Sequence, residues 1–129
     1  MNASVRRLRI LIVDDRLECA IALGRVVTRL GHDIRTAHDG TGGVAMASDF
    51  RPHVVLMDIG LPGMDGYEAA RHLRYQPWGQ GITLVALTAF GEEIDGREFH
   101  EAGFDHHLTK PVDFEALVTL IGRVPPPQA

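Results

Sequence analysis

The stretch Leu8-Arg9-Ile10-Leu11-Ile12-Val13-Asp14-Asp15 decides how the rest of the chain is read. Short, branched and nearly continuous in apolar residues, Leu8 to Val13 is predicted as a strand buried on both faces, and the charged pair ends it. A helix follows at once. Leu17, Ala20, Ile21, Gly24, Val27 and Leu30 recur at three- and four-residue spacing, and Gly31 stands where a left-handed C-terminal cap belongs.

The same alternation continues downstream. Ile34 to Ala37 is predicted as a second strand, Asp39 as the cap of a second helix over Thr41 to Ser48, and Pro52 as the end of that connection. His53 to Met57 is the third strand, with Asp58 at its end. Ile59 to Gly66 is a loop by its glycine and proline content, and Tyr67 to Arg74 forms the third helix. Ile82 to Leu87 is the fourth strand and delivers Thr88. Gly91 to Glu101 is predicted as the fourth helix, with Gly96 in its middle at a cost of about 1 kcal/mol relative to alanine. Phe104 to Leu108 makes a fifth strand, and Phe114, Leu117, Val118 and Ile121 stripe a fifth helix that stops near Gly122. Five strand–helix alternations with helix-length crossovers imply a doubly wound α/β fold, a five-stranded parallel sheet covered on both faces. Residues 8–122 are expected to form this domain, 1–7 a lead-in, and 123–129, with Pro125-Pro126-Pro127, a disordered tail.

Composition narrows the function classes. A chain of 129 residues with 45% hydrophobic content suits one globular domain. Its formal net charge of -4 provides no broad basic field, so direct nucleic-acid binding is not expected. The single cysteine, Cys19, has no partner for an internal disulfide, no apolar run approaches the ~20 residues of a membrane helix, and the N-terminus has no signal-peptide pattern. A cytoplasmic protein without membrane attachment is the expectation.

The chemistry sits at the strand ends. Asp14, Asp15, Asp58, Thr88, Lys110 and Pro111 all follow strands, and a parallel sheet collects such residues at its carboxyl edge, where ligands of these folds bind. One acid would suffice to cap the first helix. Two there, with Asp58 on an adjacent strand, repel by on the order of 4 kcal/mol per pair at about 4 Å and an effective dielectric near 20. A divalent cation resolves the conflict, and an all-oxygen donor set suits Mg²⁺ or Mn²⁺ better than Zn²⁺. Lys110 is the only lysine among 13 basic residues, a compact point charge in a chain that otherwise uses arginine. Taken singly, Thr88 is a turn residue and Lys110 a solvated charge. A hydroxyl and an ammonium around a metal-bound carboxylate are together what phosphoryl transfer requires. The Lys110-Pro111 bond is a candidate cis peptide.

Four segments carry a family resemblance: Val13-Asp14-Asp15, Met57-Asp58-Ile59-Gly60-Leu61-Pro62-Gly63-Met64-Asp65-Gly66, Leu87-Thr88-Ala89 and Leu108-Thr109-Lys110-Pro111. In this order and spacing they resemble the signature segments of receiver domains from two-component response regulators, over about Leu8 to Ile121. The resemblance implies a flavodoxin-like sheet of order 2-1-3-4-5 and a signalling domain, not an enzyme in its own right, that assists its own phosphorylation and dephosphorylation. It implies Asp58 as phosphoacceptor from a partner histidine kinase or histidine phosphotransfer protein. Asp15 resembles the direct Mg²⁺ ligand and Asp14 the ligand acting mostly through water, with Asp58 and the Gly60 carbonyl completing the protein's share. Lys110 would pair with the phosphoryl oxygens and Thr88 would turn inward to hydrogen-bond one of them. Gly60 and Phe90, two residues beyond Asp58 and Thr88, sit where water access would be set.

One position departs from the family pattern. Three residues before the lysine, where the family usually has tyrosine or phenylalanine, stands His107. Thr88 and His107 are the expected switch pair, and an imidazole with an ordinary pKa near 6.5 would make the switch sensitive to pH; the plainer alternative is an exposed histidine beside His106. Gly103 to Leu108 looks more like the receivers of hybrid histidine kinases than like those fused to DNA-binding domains, and output is expected through a partner protein.

Two other function classes compete. A receiver-like module that binds partners without phosphorylation lacks the need for intact acids, threonine and lysine. Gly40-Thr41-Gly42-Gly43-Val44-Ala45 fits the dinucleotide fingerprint G-x-G-x-x-A of an oxidoreductase, but it follows the second strand and places Asp39 against a pyrophosphate.

Overall fold

A computed structural model describes residues 7–89 and 91–125; the lead-in residues 1–6, Phe90 and the tail residues 126–129 lie outside them. Five strands alternate with five helices: β1 (Arg9–Val13), α1 (Leu17–Arg29), β2 (Asp33–Ala37), α2 (Gly40–Phe50), β3 (Val54–Asp58), α3 (Gly66–Tyr75), β4 (Thr83–Thr88), α4 (Gly96–Ala102), β5 (His106–Thr109) and α5 (Phe114–Gly122). All pairings are parallel, and the sheet order is β2-β1-β3-β4-β5.

The two-residue period of a strand explains how both faces become core. Ile10, Ile12, Val54, Leu56, Val85 and Leu87 point to one face, where Leu23 and Val27 of α1 and Leu117 and Ile121 of α5 cover them. Leu11, Val13, Val55, Met57, Leu84 and Ala86 point to the other, under Ala47 of α2, Ala69, Ala70 and Leu73 of α3, and Phe99 and Ala102 of α4. Truncating any of the fully buried leucines to alanine would cost about 2–5 kcal/mol. The chain leaves β1 for β2 on one side and returns to β3 on the other, so the topological switch point lies between β1 and β3.

Capping residues set most of the helix starts. Asp39 accepts from the Gly42 amide at 2.6 Å, Asp65 from Glu68 at 2.9 Å and Asp113 from Glu115 at 2.9 Å. Gly31 is left-handed at φ +94°, as its cap position predicts. The fourth helix is shorter than its sequence reading. It begins at Gly96, because Asp95 accepts from the Arg97 and Glu98 amides and caps it there. Gly96 is thus the first helical residue, where the cost of an interior glycine does not apply. The fifth strand starts later than expected because Phe104 leaves the sheet to stack on Phe99 at 5.4 Å between ring centroids. Val124, in the expected tail, is buried with the α1–α5 core.

The apolar stripe of α1 divides in two. Ala20 and Val27 are core, whereas Leu17 and Ile21 remain 56% and 47% exposed. The G-x-G-x-x-A segment serves packing: a Cβ on Gly43 would meet Val13 at 2.9 Å, and the Asp39 carboxylate occupies the N-terminus of α2 where a pyrophosphate would bind. The structure therefore offers no dinucleotide site at this turn.

Candidate functional site

Adjacent strands bring the acids together. Val13 is in register with Met57, so Asp14, just beyond β1, and Asp58, the last residue of β3, lie side by side at the switch point. Asp14, Asp15 and Asp58 each offer a carboxylate oxygen, and these oxygens lie within 4.8 Å of one another. Their burial is graded: Asp14 is completely buried, Asp58 partly so, and Asp15 exposed.

Lys110 closes the cluster. Its Nζ lies 2.8 Å from Asp14 Oδ2 and 3.1 Å from Asp58 Oδ2. Asp14 Oδ2 receives no well-directed hydrogen bond, so its contact with the ammonium is chiefly ionic; Asp14 Oδ1 accepts from the Arg16 amide at 2.9 Å. Asp58 Oδ1 accepts from the Gly60 amide at 2.8 Å. Partial burial opposes the charged lysine, but its contacts with Asp14 and Asp58 outweigh that cost and raise its pKa above 10.5.

Local backbone features aim these groups. The Lys110 amide donates to the Thr88 carbonyl at 2.7 Å, which ties the end of β5 to the end of β4, and the Lys110-Pro111 peptide is cis. On the other side, the Gly66 amide donates to the Ile59 carbonyl at 3.1 Å, and a Cβ on Gly66 would lie 2.5 Å from the Asp58 carbonyl oxygen. Only glycine allows α3 to start this close to the acid.

The residues singled out in the sequence are not all in one cluster. Asp14, Asp15, Asp58 and Lys110 meet, with Gly60 bound to Asp58. Thr88 ends β4 at 2% exposure, and its hydroxyl donates at a long 3.5 Å to the Leu108 carbonyl. His107 is exposed on β5, edge-on to Phe99 at 5.9 Å between ring centroids. Two features escaped the sequence reading. Glu92 accepts from the Ala89 amide at 2.9 Å and braces the loop after β4; it lies within the span expected as the fourth helix. A cavity of about 200 Å³ beside Lys110 is lined by Glu18, Cys19, Leu23, Pro111, Val112 and Phe114. The exposure of Leu17 and Ile21 on the same helix has no signature in helical periodicity, which reports an apolar face but not what covers that face.

Three carboxylates against one ammonium leave net negative charge among oxygen donors, one of them on a wholly buried residue. That donor set fits a hard divalent cation. A doubly wound sheet with such an acidic pocket at its switch point defines a class of signalling domain, and the comparisons identify it. Residues 10–122 match the response regulator receiver domain family. The chain belongs to that family, whose members act in two-component signalling and are typically phosphorylated on an aspartate.

Among curated proteins it is 38% identical to protein PilH of Pseudomonas aeruginosa over 116 residues, covering 90% of this chain and 96% of PilH. It covers 47% of the longer DNA-binding regulator RpaA of Synechocystis, at 32% identity over 88% of this chain. Among solved structures, the receiver domain of the Pseudomonas aeruginosa sensor histidine kinase PA1611, with a magnesium ion in its active-site cleft, superposes with TM-score 0.83. It is 30% identical, with 92% of this chain and 97% of that one covered. The receiver domain of Saccharomyces cerevisiae Ssk1, in complex with the histidine phosphotransfer protein Ypd1, also matches with TM-score 0.83. There the identity is 28%, over 93% of this chain and 90% of that one.

Proposed function

We propose that this chain is a phosphoacceptor receiver in which Asp58 takes a phosphoryl group from a phosphohistidine, and that the change is read by a partner protein. The observation that carries the reading is the Lys110 ammonium held between Asp14 and Asp58, with Asp15 beside them, at the switch point of the sheet. One Asp58 carboxylate oxygen attacks phosphorus, the phosphorus–nitrogen bond of the donor breaks, and its electron pair returns to the imidazole. A carboxylate nucleophile, unlike a hydroxyl, needs no protein base to activate it. The transition state needs positioning and charge neutralisation.

Lys110, already within reach of Asp58, would pass from the carboxylate to the incoming phosphoryl oxygens. Asp14, Asp15, Asp58 and the Gly60 carbonyl would hold Mg²⁺, or Mn²⁺ in its place; when bound, the ion supplies positive charge beside the acceptor. Thr88 would leave the Leu108 carbonyl, a weak partner at 3.5 Å, to donate to the phosphoryl group. His107, packed edge-on against Phe99, would follow it and carry the change to the α4–β5–α5 face. On that face a cavity of about 630 Å³ lies between Phe99, His107, Ala116 and Leu120. The apolar hollow beside Lys110, lined from α1 by Cys19, Ala22 and Leu23, suits the docking of a kinase or histidine phosphotransfer helix. Such donors place the protein in the cytoplasm. No described helix is long and apolar enough to cross a membrane.

Intact mass after incubation with acetyl phosphate and Mg²⁺ tests the reading. One phosphoryl adduct is expected, absent from Asp58→Asn and from a chelator control. No adduct from acetyl phosphate or from a phosphorylated histidine donor would overturn the acceptor role and leave a module that binds without phosphorylation.

A further inference from the structure

The opposite end of the sheet holds a second concentration of chemistry. The three strands that deliver Asp14, Asp58 and Thr88 at their carboxyl ends begin, about 15 Å away by strand rise, at Arg9, just after His53, and at Thr83. Arg9, His53 and Thr83 line one cavity of about 640 Å³ together with Arg51 and Trp78, a size ordinary for small-molecule sites. Pro52, Ile82 and Val124 supply apolar wall, and no acidic residue lines it.

Several donors around this cavity have no acceptor among the described residues. Arg9 Nε donates to the Phe50 and Arg51 carbonyls at 3.0 and 2.9 Å, which fixes the guanidinium and leaves both Nη groups without a partner among the described residues. Arg51 Nε donates to the Ser48 carbonyl at 2.7 Å, and its Nη groups are likewise unpartnered among the described residues. The Arg9 amide donates to His53 Nδ1 at 2.8 Å, so a neutral His53 ring carries its proton on Nε2, a further donor. The Arg51 guanidinium lies 4.7 Å from the centroid of the Trp78 ring, and the indole N–H makes no hydrogen bond among the described residues. Arg51 itself occupies a left-handed C-cap at φ +52°, a place where glycine or asparagine is usual.

Arg9 is in register with Asp33 of β2 and Arg51 is exposed to water, but no carboxylate lines the cavity, so an anion entering it would meet the Nη groups of both guanidiniums. We propose that this cavity is a second ligand site, distinct from the acidic pocket, for a small organic anion. The ligand would have a phosphate or carboxylate head held by the Nη groups of Arg9 and Arg51 and by His53 Nε2. Its apolar body would lie against Trp78, Ile82 and Pro52. Guanidinium groups recognise both heads through paired charge-assisted hydrogen bonds, and the indole edge and apolar wall favour an organic ligand over a bare inorganic ion.

Trp78 is the only tryptophan, so its indole N–H resonance in a ¹H–¹⁵N spectrum reports on the cavity alone. Phenyl phosphate and benzoate are titrated in chelator-containing buffer into the full chain and into Asp58→Asn, with phenol and inorganic phosphate as comparisons. A saturable indole shift with at least one organic anion is expected. It should persist in Asp58→Asn and exceed the responses to phenol and to phosphate. Arg51→Asn, which keeps a residue tolerant of the left-handed cap, should weaken the affinity about tenfold, the effect of losing one charge-assisted pair; Arg9→Gln should act similarly. An indole that does not respond to either organic anion, affinity unchanged in Arg51→Asn, or equal binding of phenol would each overturn the proposal.

Discussion

Removing the ammonium that spans two carboxylates should destabilise the metal-free protein and make it depend on Mg²⁺. In Lys110→Met the stem is retained, so packing is largely conserved and the change is chiefly electrostatic. The ammonium lies 2.8 Å from Asp14 and 3.1 Å from Asp58, each contact giving on the order of 5 kcal/mol of direct attraction at an effective dielectric near 20. Desolvation offsets much of this, and loss of one partner of a buried ion pair costs about 3–5 kcal/mol net. The Lys110 side chain is 18% exposed while that of Asp14 is wholly buried. Some water can therefore replace the ammonium, and the lower end, about 3 kcal/mol, is expected. For a chain of this length that lowers Tm by about 10 °C.

Thermal melts followed by circular dichroism, at neutral pH with chelator and again with millimolar Mg²⁺, measure it. The ion should raise the Tm of the variant more than that of the parent, because it replaces the missing charge. The lysine's own raised pKa sets the alkaline limit. Its contribution is fully present below about 10.4, the unfolded value, and is lost as pH rises through the higher folded value, so the two proteins should converge in strong base. A variant that melts within about 2 °C of the parent in chelator, with the same response to Mg²⁺, would refute the reasoning.

Asp15→Asn removes one charge from the acidic cluster at its exposed corner; the metal-free Tm should hold or rise by a few degrees, and the rise produced by Mg²⁺ in the parent should disappear from its melts. His53 has its pKa lowered by burial and by Arg9, so it contributes stability present above about pH 6.5 and lost as pH falls through the lower folded value. His53→Asn, which can still accept from the Arg9 amide, should remove that acid-side slope from a denaturation series. Gly66→Ala forces a methyl toward the Asp58 carbonyl, 2.5 Å from the built Cβ; chemical denaturation should show a loss of about 1–3 kcal/mol, with slower phosphorylation by acetyl phosphate. Destabilisation below about 0.5 kcal/mol would mean that α3 shifts freely.

What the chain's sequence reveals of its fold follows from the range of each signal. Leu8 to Val13 identifies itself as a buried strand by composition, and the alternation of five such runs with helical stripes is enough for a parallel doubly wound sheet. The acids, Thr88 and Lys110 were legible because they follow strands, and topology alone puts strand ends on one edge. Periodicity misplaced two boundaries that neighbouring side chains decided. The start of α4 was set by the Asp95 cap over the competing Gly91 turn, and Phe104 left β5 for the ring of Phe99.

Charge and composition, being properties of the chain itself, singled out a group of acids whose repulsion a cation would relieve and a lone lysine worth following. Tertiary structure alone decided that Lys110 touches both Asp14 and Asp58, that Asp14 is buried while Asp15 is not, and that the Thr88 hydroxyl faces β5. It also decided that Arg9, Arg51 with His53, and Trp78, in three separate stretches of the sequence, meet around one cavity. Periodicity records which residues share a face. Only the packing of elements far apart in sequence says which of those faces are covered, and by what.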